Sequence, residues 1–182
     1  MADTEENLPK GCVRRKTLLI FICVGSREHP FDRLLKKIDE LIDAKVINEE
    51  VFAQIGKSSY TPKHYKYSEF IAGDLFEKYL NDARVVITHG GTGSIVKSLA
   101  RHKKVIAVTR LKKYGEHVDD HQKQIVNLFT KQGVLLGVEE MNDLETAVHF
   151  FDENSCVPID GQVSPDEPNM IRILDDFISA NR

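Results

Sequence analysis

Three clusters of small and polar residues carry the chemistry open to this sequence. The first is His89–Gly90–Gly91–Thr92–Gly93–Ser94, the end of the run Arg84–Ser94 (RVVITHGGTGS), directly after the apolar stretch Val85–Thr88. Glycines at such a place let the backbone turn tightly and approach a ligand with no Cβ in the way. If a helix opens here, Thr92 or Ser94 can cap it, and its amides together with the helix dipole suit phosphate oxygens. The plain alternative is a tight turn that binds nothing; three glycines and a hydroxyl pair in one place favour an anion site. Beside that site His89, as a cation or donor, could help stabilise a leaving diphosphate.

The second cluster is Gly115-Glu-His-Val-Asp-Asp-His-Gln122, on the loop after a second apolar run, Val105–Thr109. Asp119 or Asp120 is a natural N-cap for the helix that follows. Carboxylate and amide side chains gathered here, Asp120 and Gln122 among them, could grip vicinal sugar hydroxyls through paired acceptor and donor bonds. Glu116 joins His89 as a candidate catalytic residue. A capped, solvent-exposed helix start is the competing reading. The third cluster, Val24–Arg33 (VGSREHPFDR), follows the first strand-like run and opens a helix; its Gly25 and Ser26 are candidate ligand contacts, and a purely structural turn is the alternative.

Several other chemistries fail on spacing. No Gly-Lys-Ser/Thr follows the glycines at the distance a Walker A loop needs, and counting from Gly91 the third glycine of a dinucleotide fingerprint is replaced by Val96. The next strand ends in Thr109–Arg110 rather than an acid, which counts against an NAD oxidoreductase, though an Arg there could tolerate a 2′-phosphate. His117 and His121 stand four apart, but the order is not His-Glu-x-x-His and no third ligand is evident, so no metal is expected. Cys12, Cys23 and Cys156 form no Cys-x-x-Cys pair; Cys23 reads as a small core residue, and a reducing, cytoplasmic compartment fits.

Apolar runs and helical patterns alternate along the chain. Leu18–Val24, Val51–Ile55, Val85–Thr88, Val105–Thr109 and Val134–Val138 read as strands, with a short one at Phe70–Ile71. Helical spacing covers Phe31–Ile42, Leu75–Ala83, Gly93–Ala100, Asp119–Gln132, Leu144–Phe151 and Met170–Ala180. Lys57–Tyr67 and Arg110–Val118 read as loops. This alternation predicts an α/β domain with a mostly parallel sheet and helices on both faces, and such sheets bind ligands at the carboxyl ends of their strands. All three clusters lie at such ends. The domain is expected over residues 17–151, after a flexible arm (1–16) and before a linker and C-terminal helix (152–182).

The chain has 182 residues, 41% hydrophobic and 29% charged, with a formal net charge of −3. That balance is ordinary for a globular protein and gives no electrostatic reason to expect nucleic acid. Leu18–Val24 is far short of the about 20 residues that span a bilayer, so membrane association is expected only through a partner or a surface.

Together the stretches VGSREHPFDRL, EEVFAQIG, ARVVITHGGTGS and KKYGEHVDDHQ resemble, in register from about Leu18 to Phe151, the C-terminal half of the two-Rossmann-domain (GT-B) glycosyltransferases of family 28. The likeness is to small donor subunits of two-component exopolysaccharide glycosyltransferases and of dolichol-linked N-acetylglucosamine transfer. It implies a single Rossmann-like GT-B half in which Gly90, Gly91, Thr92, Gly93 and Ser94 meet the donor diphosphate, and Asp120 and Gln122 hold the sugar. It further implies a UDP-sugar donor, inversion at the anomeric carbon, no metal and no other cofactor. The acceptor site then sits on a separate, membrane-anchored subunit, leaving this chain cytoplasmic and peripheral to the membrane through that partner. Where relatives often carry Thr this chain has Ser26, and where many carry a ribose-binding Glu it has Lys97. A non-catalytic nucleotide-binding or enhancer subunit of such a complex is the alternative.

Overall fold

Five-residue runs such as Leu19–Cys23, apolar throughout, can be satisfied only where both faces of a sheet are covered. The computed structural model describes residues 18–25, 29–117 and 121–153, and it builds these runs into one parallel sheet. In chain order the elements are β1 (Leu19–Cys23), α1 (Asp32–Asp43), β2 (Glu50–Gln54), β3 (Lys66–Ser68), α2 (Gly73–Asp82), β4 (Val85–Thr88) and α3 (Thr92–Leu99). Then follow β5 (Lys104–Val108), a 3-10 turn (Lys112–Tyr114), α4 (His121–Lys131), β6 (Leu136–Val138) and α5 (Asp143–Glu153). The sheet order is β3-β2-β1-β4-β5-β6. The expected arm 1–16, the helix Met170–Ala180, Ser26, Asp119 and Asp120 lie outside the described residues.

Side-chain alternation assigns the faces. Ile20 and Ile22 of β1 and Ile106 and Val108 of β5 point to one side, where α1 and α5 cover them with Leu34, Leu35, Ile38, Leu144 and Phe151. On the other side Phe21 and Cys23 meet α2, while Val105 and Ala107 meet α3 and α4. An aromatic stack docks α2: the Phe52 and Tyr79 rings lie 3.8 Å apart and nearly parallel, with Phe76 edge-on to Phe21. Each buried side chain of this size contributes about 1.5–3 kcal/mol relative to exposure.

Two local expectations are corrected. Phe70–Ile71 is not a strand; the edge strand is Lys66–Ser68, which begins inside the segment expected to be loop, paired with Phe52–Gln54. Its Lys-Tyr-Ser sequence is exposed and carries no apolar alternation to reveal it. The polar segment before it is ordered by two carboxylates of α1. Asp32 accepts the Ser59 and Tyr60 amides (2.8 and 3.0 Å), and buried Asp39 accepts the Lys63 and His64 amides and the Tyr60 hydroxyl (2.8, 2.9 and 2.7 Å). Burial tends to raise the Asp32 carboxyl, but these bonds and the Ser59 hydroxyl hold it below the usual range.

β1 and β4 are neighbours, although β2, β3 and α2 separate them in the chain. The strand order reverses here, the arrangement that places a ligand crevice at the carboxyl edge of such sheets.

Candidate functional site

That crevice is a cleft of about 890 Å³, within the range that accepts small-molecule ligands. The loops after β1, β4 and β5 contribute Gly25, His89–Ser94, Arg110 and His117, the start of α4 adds Gln122, and α2 and α3 supply the far wall with Phe76, Glu77 and Lys97. Every expected contact residue among the described ones lines it except Glu116.

The glycine loop is shaped around His89. Its Nδ1 lies 3.2 Å from the Cys23 carbonyl, an arrangement that places a proton on Nδ1. The ring fills the gap between two loops: a Cβ at Gly25 (φ +85) would meet His89 Cε1 at 2.8 Å, and one at Gly91 would collide with Nε2. Both positions therefore need glycine, for close approach of an imidazole that bridges the β1 and β4 loops. Gly90 packs in turn against Val126 of α4.

Neither Thr92 nor Ser94 caps α3, contrary to expectation. Gly91 occupies the N-cap position and no side chain bonds the first turn. Ser94 Oγ instead donates to the Gly91 carbonyl (2.9 Å) and pairs with Thr88 Oγ1 (2.7 Å). Thr88 in turn accepts from the Cys23 thiol (3.7 Å), whose burial pushes its pKa up and keeps it a thiol. The hydroxyls thus brace the loop from below, while the α3 N-terminus faces the cleft with no side-chain cap. Amides so placed attract anions.

Glu116 faces inward. Only 5% exposed, it receives Arg33 Nε and Nη2 on its two oxygens, both at 2.9 Å, and the Leu111 amide at 3.0 Å. Arg33 also bonds the Thr109 and Glu139 carbonyls. The pair fixes the 110–117 loop to α1. Six residues on, Gln122 contrasts with it: the side chain lines the cleft, and its Oε1 is buried with no hydrogen-bond partner. An orphaned buried acceptor calls for an explanation, and a ligand hydroxyl would supply one.

Several cleft residues had no place among the expected contacts, Glu77, Phe76 and Arg110 foremost. Glu77 of α2 is the single carboxylate among the described lining residues; it pairs with Lys97 (3.7 Å) and with Arg101. Phe76 places its ring 5.6 Å from the Lys97 ammonium. Arg110 continues the side-chain face of Ile106 and Val108, so period-two alternation was the available signal that it turns inward. His117 also lines the cleft, with its ring 5.1 Å from that of His29; the His121 side chain lies outside the described set. The described residues bring together no group of three or more His, Cys, Asp or Glu able to hold a metal, and no described helix is long and apolar enough to cross a membrane.

Comparison with known proteins places this geometry in context. The sequence model described as the glycosyltransferase family 28 C-terminal domain matches residues 19–160. No curated protein gives a significant sequence match. Among solved structures, the kitacinnamycin glycotransferase superposes with a TM-score of 0.58 at 16% identity, covering 95% of this chain and 40% of that one. MurG of Acinetobacter baumannii gives 0.58 at 16%, covering 91% and 50%, and the solution structure of ALG13 gives 0.59 at 18%, covering 87% and 94%. At these identities the likeness is one of fold. The chain spans half or less of the first two and nearly all of the third.

Proposed function

Because this chain belongs to the glycosyltransferase family 28 C-terminal domain family, we propose that it is the donor-binding half of a UDP-sugar glycosyltransferase, completed by a partner subunit. The observation that carries this reading is the pairing, in one cleft, of an α3 N-terminus without a side-chain cap and the unsatisfied Gln122 Oε1. The first suits a diphosphate and the second a sugar hydroxyl. Gly25 with Ser26 would border the donor, and Asp120 beside Gln122 would share the sugar. An acceptor site on another chain is part of the same proposal. A membrane-anchored partner, a lipid-linked acceptor and a cytoplasmic site of action complete the proposal.

In this mechanism the acceptor hydroxyl loses its proton to a base from the partner and attacks the anomeric carbon from the face opposite the leaving group. The new C–O bond forms as the bond to the diphosphate breaks, so the centre inverts. UDP departs toward Gly90–Ser94, where amides and the helix dipole take up the developing charge without a metal. His89 holds the β1 and β4 loops at the spacing the diphosphate requires. Glu116, engaged by Arg33, acts as a positioning residue for the 110–117 loop.

Isothermal titration of the full chain, with and without its partner, is the direct test. Binding of UDP and of at least one UDP-sugar at millimolar or tighter affinity is expected; absence under both conditions sinks the proposal. The inward engagement of Glu116 favours a second reading, a nucleotide-binding subunit that enhances its partner without itself turning over. If Asp120→Ala and Gln122→Ala leave the activity of the assembled pair intact, that second reading holds.

A further inference from the structure

Among the described residues Arg110 is the largest buried side chain, and Glu116 is the carboxylate whose charge acts on it. Arg110 follows β5 directly. Thr88 pairs with Ala107 across the β4–β5 ladder, so the residues just beyond bring Gly90–Gly91 level with Thr109–Arg110. A Cβ at Gly90 would lie 3.9 Å from the Val108 carbonyl, which confirms the proximity of the two chain segments. The side chain then turns toward β1. Its Nη2 donates to the Val24 and His29 carbonyls at 2.6 and 2.8 Å, and the guanidinium lies 5.4 Å from the Phe31 ring. Its Nε is buried without an acceptor, and the side chain lines the cleft.

Charge counting makes the case. Phe31 also carries Arg33, 5.6 Å from the ring, and Arg33 takes both oxygens of Glu116. Two guanidinium groups therefore share one carboxylate, and that carboxylate is spent on Arg33. Across the cleft Glu77 is held by Lys97 and Arg101. Burial lowers the Arg110 pKa to about 10, which still leaves it charged at neutral pH. A buried cation that shares its one described counter-charge with Arg33 is costly unless the functional state supplies another.

We propose that Arg110 is the fixed cation of the cleft and that its Nε–H takes a phosphoryl oxygen of the bound nucleoside diphosphate. This rests on the donor-site reading and adds a charged contact to a subsite otherwise made of amides. It also links the two loops: one guanidinium holds the carbonyls of Val24 and His29 through Nη2 and the diphosphate through Nε, so ligand and β1 loop are ordered together. A purely structural clamp would use only the first set of bonds.

Titrating the full chain with UDP and UMP separates these roles. In Arg110→Gln the ratio of UDP to UMP affinity falls about tenfold, because the ligand with more negative charge loses more when the cation is removed. Arg110→Lys keeps the cation but not the fork, so both ligands weaken while the ratio stays within about threefold of the native value. Equal weakening of UDP and UMP in Arg110→Gln would mean a clamp and overturn the proposal. If that variant does not fold, the native chain still decides. The Arg110 Nε–H resonance, assigned by its absence in Arg110→Lys, shifts on saturation with inorganic pyrophosphate; an unmoved resonance refutes the contact. A chain that binds pyrophosphate at Arg110 but not UDP would keep this inference and discard the donor reading.

Discussion

Glu116 and Gln122 lie six residues apart in one polar segment, yet the fold uses them in opposite ways. Glu116 is closed off: both oxygens are bonded by Arg33 and one by the Leu111 amide. Gln122 is left open, with a buried acceptor that no described protein group meets. The difference teaches that a charged residue in a suggestive motif can belong to the scaffold, while a neutral neighbour lines the cleft with bonding capacity to spare. What distinguishes them is whether hydrogen-bonding capacity is consumed internally, since buried polar groups seldom stay unpaired without cause.

The largest effect expected from breaking this contrast is at Glu116. Glu116→Ala strands Arg33 in a site where the two side chains are 6% and 18% exposed, and removal of one partner of such a pair costs about 3 kcal/mol. Urea unfolding of the variant checks this. A loss below 1 kcal/mol would mean that the pair does not hold the 110–117 loop. Donor affinity should fall only in step with stability.

Gln122→Ala should behave the other way. Losing one neutral hydrogen bond to a sugar hydroxyl lowers UDP-sugar affinity by about three- to tenfold, while the melting temperature stays level or rises slightly because an orphaned acceptor is gone. Calorimetry on free and ligand-bound protein gives both numbers. A clear fall in stability with unchanged affinity would reverse the roles assigned to the two residues.

The smallest effect on the fold is expected at Gly93, where an added Cβ would meet nothing within 4 Å. Alanine there keeps or slightly improves stability, since glycine in a helix costs about 1 kcal/mol relative to alanine. If diphosphate lies over the α3 N-terminus, the same methyl group weakens UDP binding several-fold. Unchanged UDP affinity would move the diphosphate off this loop. By contrast, the wedge of His89 between Gly25 and Gly91 leaves no room for a methyl group at either position.

Much of the fold is legible in the sequence. Leu19–Cys23 and Val85–Thr88 announce themselves because strands buried on both faces must be apolar throughout, and the 3.6-residue spacing of Leu34, Leu35, Ile38 and Leu41 does the same for α1. The edge strand Lys66–Ser68 carries no such mark: it is short and exposed, and its pairing with Phe52–Gln54 owes nothing to its own pattern. Within the site, the glycine loop and Gln122 could be picked out by type and position. That Ser94 braces Gly91 instead of capping α3 could not, because a hydroxyl at a helix start has both options and only its neighbour Thr88 decides between them.

By itself, then, the sequence determined the parallel α/β architecture, the placement of its polar clusters at strand carboxyl ends, and membership of a family. These depend on local periodicity and on motif spacing, which are properties of a few turns of chain. Tertiary structure decided the electrostatics. Arg33 and Glu116 are 83 residues apart, and Arg110 reaches carbonyls 86 and 81 residues away. Which cation is neutralised and which is left for a ligand depends on the order in which β1, β4 and β5 lie side by side. No local pattern encodes that choice, because the partners meet only once the sheet has formed.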